Sequence, residues 1–285
     1  MKLINYKTLV LTLFLILPLT LLAQLKGDTF AQAKATKKAN VIYVTNPLSI
    51  FCIEKNGQYS GITVEIIKSF EKFVKSKYNI EMNATYVKTP NNDVAKLFSN
   101  MKTSIGGVFP VTPIVVTNAR KKIYDFSPPY MAHIEVVISQ KSAPTISKIE
   151  DLSVKFANKK VYTIKGSAND KFVKDIKKNY FPNLQIAYVE LFNDLAKSVA
   201  TDPNSFAYTN FLYYATAGQY KQQLKLHFST AKSDEKIAIL LSKGNDWTPV
   251  FAEFMNSGYL ESAEYKSILK KYLEEKSIKL IESFN

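Results

Sequence analysis

TNARKKIYDFSPPY, residues 117–130, places one arginine behind an apolar run and leads through an aromatic patch into two prolines. Thr117 stands where a side-chain oxygen caps a short helical turn. Arg120 carries a planar guanidinium, which holds a carboxylate through two parallel hydrogen bonds. On spacing alone, a surface arginine beside Lys121 and Lys122 explains the pattern better. Residues 126–130 read as the start of a crossing between two lobes.

Strands and helices alternate on both sides of this stretch. Upstream, residues 40–44 (NVIYV) form a β-rich run ended by Asn46-Pro47, and Asn56-Gly57 marks a turn. Residues 62–78 carry Ile66, Ile67, Phe70, Phe73 and Val74 at helical spacing, the mark of a core-facing stripe. Residues 84–87 predict a strand, 92–101 a helix capped by Asn92, and 105–109 a strand. Downstream, strands are expected over 134–139, 160–164, 185–189, 205–209, 224–228 and 236–241. Helices are expected over 169–178, 193–200, 210–218, 247–256 and 262–275. The alternation argues for an α/β class with largely parallel sheets. The strand count suits two sheets of about five, hence two lobes. Ligands in open α/β sheets bind beyond the carboxyl ends of strands. Phe51 with its loop, Arg120, and the Gly166-Ser167 turn stand at such ends.

Composition agrees. A chain of 285 residues with 46% hydrophobic content makes one large domain or two modest ones, and is too apolar for a disordered chain. The net charge of +14 comes from dispersed lysine pairs such as Lys37-Lys38, Lys159-Lys160 and Lys270-Lys271. These read as solvated faces, so no nucleic-acid partner is expected. Cys52 is the single cysteine, which rules out an intramolecular disulfide, and beside Phe51 it reads as a small core residue. His133 and His227 have no ligand partner at useful spacing, so neither a metal nor another cofactor is expected.

Lys2 and Lys7 precede an apolar run over residues 8–23, which is short for a membrane span and contains Pro18. Ala31-Gln32-Ala33 offers small residues for a signal peptidase, and Leu21-Leu22-Ala23 a second site. Residues 1–33 read as a cleavable secretory signal, with cleavage after Ala33 or Ala23. The protein is therefore expected in the periplasm.

Gly166 permits a tight turn and Ser167 can cap the helix that follows, leaving backbone N–H groups free for an anion. On sequence alone an ordinary capped βα turn is the better explanation, because such dipeptides are common.

TNARKKIYDFSPPY resembles the TxxRxxxxdFSxPY signature of the type-3 periplasmic solute-binding proteins, which deliver polar amino acids to ABC transporters. QYSGITVE at 58–65 is similar to that family's G-x-x-x-G-f-x-v-D run. Lys165-Gly166-Ser167 is similar to its x-G-[ST] turn, residues 206–214 to its v-D-A-x-x-x-D segment, and GYLESAEYKSILKKY at 258–272 to its closing helix pair. The resemblance spans residues 40–275.

It implies a two-lobed clamp, with lobe 1 over residues 34–130 and 230–285 and lobe 2 over 131–229. Two crossings would join the lobes, with hinges at Pro129 and Tyr130 and at Ser229 and Thr230. It implies that Arg120 and the Gly166-Ser167 turn hold the ligand carboxylate, and that Phe51 packs on the ligand. An inner-membrane ABC permease is the implied partner of a monomer. Two departures stand out. Asn210 occupies the place of an aspartate that holds the ligand ammonium, and Pro113, Ile114 and Val115 replace a Gly-x-Thr run. An asparagine accepts from an ammonium without charge assistance, at a cost of about 1–2 kcal/mol. The expected ligand bears a carboxylate and need not be a standard α-amino acid. A sensing or signalling role on the same fold is the alternative. An enzyme would need an acid or base in the cleft, and the spacing places none there.

Overall fold

The computed structural model describes residues 24–47, 50–190, 192–215 and 217–284. The chain opens with α1 (Phe30–Thr36), β1 (Lys38–Thr45), the hairpin β2 (Ile53–Lys55) and β3 (Gln58–Ser60), and α2 (Ile62–Tyr78). Then come β4 (Glu81–Lys88), α3 (Val94–Thr103), β5 (Val108–Pro110), β6 (Ile114–Val116), the single turn α4 (Asn118–Lys121) and β7 (Tyr124–Phe126). The stripe predicted on α2 is its buried face. Phe70 stacks on Phe251 with ring centroids 3.8 Å apart and meets Phe109 and Trp247 edge-on. Truncating a buried phenylalanine in such a cluster costs about 3–5 kcal/mol. The cap of α3 is Asp93, not Asn92: its carboxylate accepts the N–H groups of Ala95 and Lys96. A charged acceptor one residue on makes the stronger cap.

The long strand β8 (Met131–Gln140) leads into α5 (Leu152–Lys155), β9 (Lys160–Thr163), α6 (Ala168–Asn179), β10 (Ile186–Tyr188), α7 (Phe192–Thr201), β11 (Ser205–Asn210) and α8 (Phe211–Ala215). The chain returns along β12 (Leu224–Ala238) and closes with β13 (Leu240–Ser242), α9 (Thr248–Met255), α10 (Ala263–Tyr272) and α11 (Glu275–Glu282).

The strands do not divide into two sheets of about five. A parallel sheet holds three strands, in the order β4-β1-β5, and a mixed sheet holds six, in the order β10-β9-β11-β8-β12-β6. β9, β10 and β11 run parallel, while β8, β12 and β6 pair antiparallel. β8 and β12 are neighbours in the larger sheet, and β12 pairs with β6 at its edge. The two strand-like runs at 224–228 and 236–241 are joined: β12 continues from Leu224 to Ala238 through the polar residues between them, with register shifts between His227 and Glu235. Backbone pairing with β8 carries a segment whose own β-propensity is poor.

Residues 127–130 join β7 to β8. Ser127 N–H donates to Ile239 O at 2.9 Å, and Ile239 N–H returns a bond to Ser127 Oγ at 3.0 Å. Tyr130 N–H donates to Ile237 O at 2.9 Å, its hydroxyl bonds Thr63 Oγ1 at 2.9 Å, and its carbonyl accepts from the Tyr265 hydroxyl. The β7–β8 link is thus tied to the end of β12, and to both α2 and α10.

The segment from residue 24 on is built into the fold beside β1 and α9. Gly27 N–H bonds Ile105 O, the Asp28 carboxylate accepts from Asn40 N–H at 2.7 Å, and Trp247 Nε1 donates to Asp28 O. The first N–H groups of α1, from Phe30 and Ala31, point at the Asp246 carboxylate. Ala33 is fully buried. Residues 1–23, and with them the apolar leader, lie outside the described residues. Among the described residues, no helix is long and apolar enough to cross a membrane.

Candidate ligand site on the crossing strands

Arg120 is held in place, unlike a free surface arginine. Thr117 Oγ caps α4 by accepting from Arg120 N–H at 3.2 Å. Arg120 Nη1 donates to Val115 O at 2.6 Å, and the guanidinium lies over the Phe98 ring, 4.5 Å from its centroid. Burial pulls its pKa down while Glu235 pushes it up; an arginine nevertheless stays charged. The result is a half-buried, oriented cation next to the crossing strands.

Cross-strand partners lie on one face of a sheet. Glu135 on β8 is opposite Asn210 on β11, and His133 on β8 is opposite Glu235 on β12. Farther along, Val137, Phe206, Val161 and Tyr208 continue the same face as apolar core beneath α6. The polar end is where the site residues gather. Asn169 Nδ2 donates to Glu135 Oε1 at 2.8 Å, Tyr208 places its hydroxyl beside the Glu135 carboxylate, and the Tyr208 ring stacks on Phe172 at 4.1 Å. Burial, then Glu235 and Asp234, push the pKa of Glu135 up. Burial also raises that of Glu235, with Arg120 opposing. Burial and the neighbouring Arg120 lower the pKa of His133 to about 4, so it is neutral at pH 7. Its Nδ1 is 3.9 Å from Glu235 Oε2. Arg120, His133, Glu235 and Glu135 therefore form one electrostatically linked group, with Asn210 opposite Glu135.

Asn210 is 4% exposed. Its Oδ1 accepts from Leu212 N–H at 2.9 Å, which fixes the orientation of the amide, and its Nδ2 has no hydrogen-bond partner among the described residues. It therefore presents a donor. Thr163, at the end of β9 on the same face, is fully buried with its hydroxyl likewise unpartnered.

At the α6 turn, Gly166 adopts φ 77° and donates its N–H to Asp170 Oδ2 at 2.9 Å. Ser167 N–H bonds Ile164 O, and Ser167 Oγ accepts from Asp170 N–H. Both N–H groups are engaged within the turn, and Asp170 is further held by Lys174 and Tyr188. Phe51 is 1% exposed, in the main core beside the fully buried Cys52, whose thiol burial pushes up to about 11. Ser229 and Thr230 sit where the register of β12 shifts; Thr230 Oγ1 accepts from Val137 N–H and donates to His227 O. A concavity of about 710 Å³ takes in Thr117, Asn118, Asp234 and Glu235, with Arg120 outside its lining. Among the described residues, no three His, Cys, Asp or Glu side chains gather as a metal site.

Glu135, Glu235 and Asn169 are absent from the residues singled out in the sequence. A signal for the first exists: MAHIEVVIS sets one acid in an otherwise apolar strand. Such an acid needs a reason, since a buried charge is costly unless compensated.

Solved structures share this architecture. The second substrate-binding domain of a putative amino acid ABC transporter from Streptococcus pneumoniae superposes with a TM-score of 0.62 at 21% identity, covering 82% of this chain and 100% of that one. Substrate-binding domain 2 of Lactococcus lactis GlnP, in its open conformation, gives 0.63 at 15% identity over 83% and 96%. An ancestral arginine-binding protein bound to arginine gives 0.59 at 18% over 82% and 98%. No curated protein sequence matches the chain. The profile of one family covers most of it, residues 41–275, and by that match the chain belongs to the bacterial extracellular solute-binding proteins, family 3.

Proposed function

We propose that this solute-binding protein captures a small carboxylate-bearing ligand, an amino acid or an analogue, between its two lobes in the periplasm and hands it to an inner-membrane ABC permease. The observation that carries this reading is the pre-positioned Arg120: capped, stacked on Phe98 and bonded to Val115 O, contacts that orient its planar fork for a carboxylate. Pre-organisation of this kind lowers the entropy cost of binding. Closure is a shift in population driven by contacts that the ligand makes with both lobes. In this reading, lobe 1 comprises residues up to 130 and from 230, with hinges at Pro129–Tyr130 and Ser229–Thr230, and the protein works as a monomer. The similar ancestral amino-acid-binding protein AncCDT-1, a precursor of cyclohexadienyl dehydratase, makes turnover a fair control; binding without turnover is expected here.

The export signal in this reading ends after Ala23, because residues from Leu25 on are built into the first lobe and Ala33 is buried. The N-terminal sequence of the secreted protein checks this. Calorimetric titration with amino acids and simple carboxylates tests the binding role: a carboxylate-bearing ligand should bind stoichiometrically and remain chemically unchanged.

A further inference from the structure

We propose that the cationic group of the solute is read by Glu135 and Glu235, one on each crossing strand, while the amide of Asn210 donates to an acceptor on the same solute. This deepens the solute-binding reading above and rests on it.

Three observations meet on one face of the sheet. First, neither Glu135 nor Glu235 closes an ion pair with a lysine or arginine among the described residues, although Lys232 is opposite Glu135 across β8 and β12 and Arg120 lowers the pKa of Glu235 from a distance. The one nearby imidazole, His133, is neutral at pH 7. Of the nearby cations, Arg120 is the group assigned above to the solute carboxylate, and Lys232 lies over the Phe172 ring, 5.5 Å from its centroid. A half-buried carboxylate pair of this kind is stabilised by a cation placed between its members.

Second, Asn210 is directly across from Glu135, and its Nδ2 is buried without a partner. Buried donors are almost always satisfied, so an orphan donor at the polar end of this face is open to an acceptor from outside the chain. Thr163 Oγ1 is a second orphan on the same face. Third, the acceptor of Asn210 is taken by Leu212 N–H, so this amide is poorly placed to hold an ammonium. The polarity around Asn210 thus favours an acceptor, and the carboxylates that suit a cation sit on the crossing strands. The solute implied is a small compound with a protonated amine and a carboxylate, its amine directed at the strands.

Calorimetry on the mature protein tests this with L-lysine, L-arginine, L-glutamine and 5-aminopentanoate, against the amine-free glutarate and pentanoate. The expected result is binding confined to amine-bearing probes, with Glu135→Gln and Glu235→Gln each weakening the tightest of them at least tenfold. Glutarate or pentanoate binding as tightly as 5-aminopentanoate would overturn the proposal and leave the solute-binding reading intact. So would Gln variants that keep Kd within twofold. Absence of binding by every probe would overturn both. The wild-type comparison of amine-bearing and amine-free probes does not depend on the variants folding.

Discussion

Asn210 and Glu135 face each other across β11 and β8, yet they do not bond to one another. Glu135 takes its hydrogen bond from Asn169, and Asn210 spends its carbonyl on Leu212 N–H. The amide is left as a lone donor beside a carboxylate that already shares its surroundings with Glu235.

Replacing Asn210 by aspartate should therefore work in two directions. A third carboxylate beside Glu135 and Glu235 should lower the stability of the ligand-free protein by about 1–3 kcal/mol. It should also raise affinity for α-amino acids by supplying a charged acceptor. Urea denaturation and calorimetry of Asn210→Asp measure the two effects separately. An unchanged urea midpoint would mean that the acids at this site do not interact.

Gly61 is required by its backbone. Its φ of 123° is hostile to side chains, and a Cβ there would fall 2.5 Å from the carbonyl of Phe51. Its N–H bonds Tyr272 Oη, and that hydroxyl bonds Glu65, so the loop carrying Phe51 is tied to α10 through this residue. Gly61→Ala should cost about 2–4 kcal/mol through strain and displacement of that loop. The shift in urea midpoint reads it; a loss under half a kcal/mol, about what a neutral surface change gives, would show that the loop yields.

Two histidines set an acid limit. His227 is buried, with Nδ1 accepting from Ile146 N–H at 2.9 Å and Nε2 bonded to Ser139 Oγ at 2.8 Å. Burial, then Lys225 and Lys155, lower its pKa to about 4, and His133 also falls to about 4. In the unfolded chain both titrate near 6.5. Between pH 6.5 and 4 the unfolded state binds the extra protons, so stability falls as pH falls, by up to about 1.4 kcal/mol per pH unit for each histidine. Glu135 and Glu235 work the other way: their raised pKa values mean that the folded state takes up protons first, which offsets part of the loss at the acid end of this window. Denaturation at pH 7, 6 and 5 should show a decline that is shallower in His227→Gln. A flat wild-type profile would contradict the buried, neutral assignment.

Local features were legible in the sequence wherever one segment carries its own reason. Thr117 caps the Arg120 turn, Ser167 caps α6, and the stripe on α2 is core, each as its spacing suggests. What stayed hidden depends on pairing across the chain. Glu135 gains its meaning only from Asn210, 75 positions later by the numbering, and from Glu235 beyond it. The merging of two strand-like runs into β12 likewise depends on β8, because Lys232, Ser233, Asp234 and Glu235 would not form a strand unaided. At residue 120, local spacing favoured a surface arginine; the stacking on Phe98 and the bond to Val115 O come from β6 and α3, which residues 117–130 do not show.

The role of Arg120 is tested most directly by titrating the wild-type protein and Arg120→Ala with the same carboxylate-bearing ligand, with circular dichroism to confirm that both are folded. Loss of the bidentate anchor should weaken binding at least a hundredfold, about 3 kcal/mol, while the spectrum is unchanged. Arg120→Ala binding that ligand with full affinity would contradict the assignment of Arg120 as the seat of the solute carboxylate.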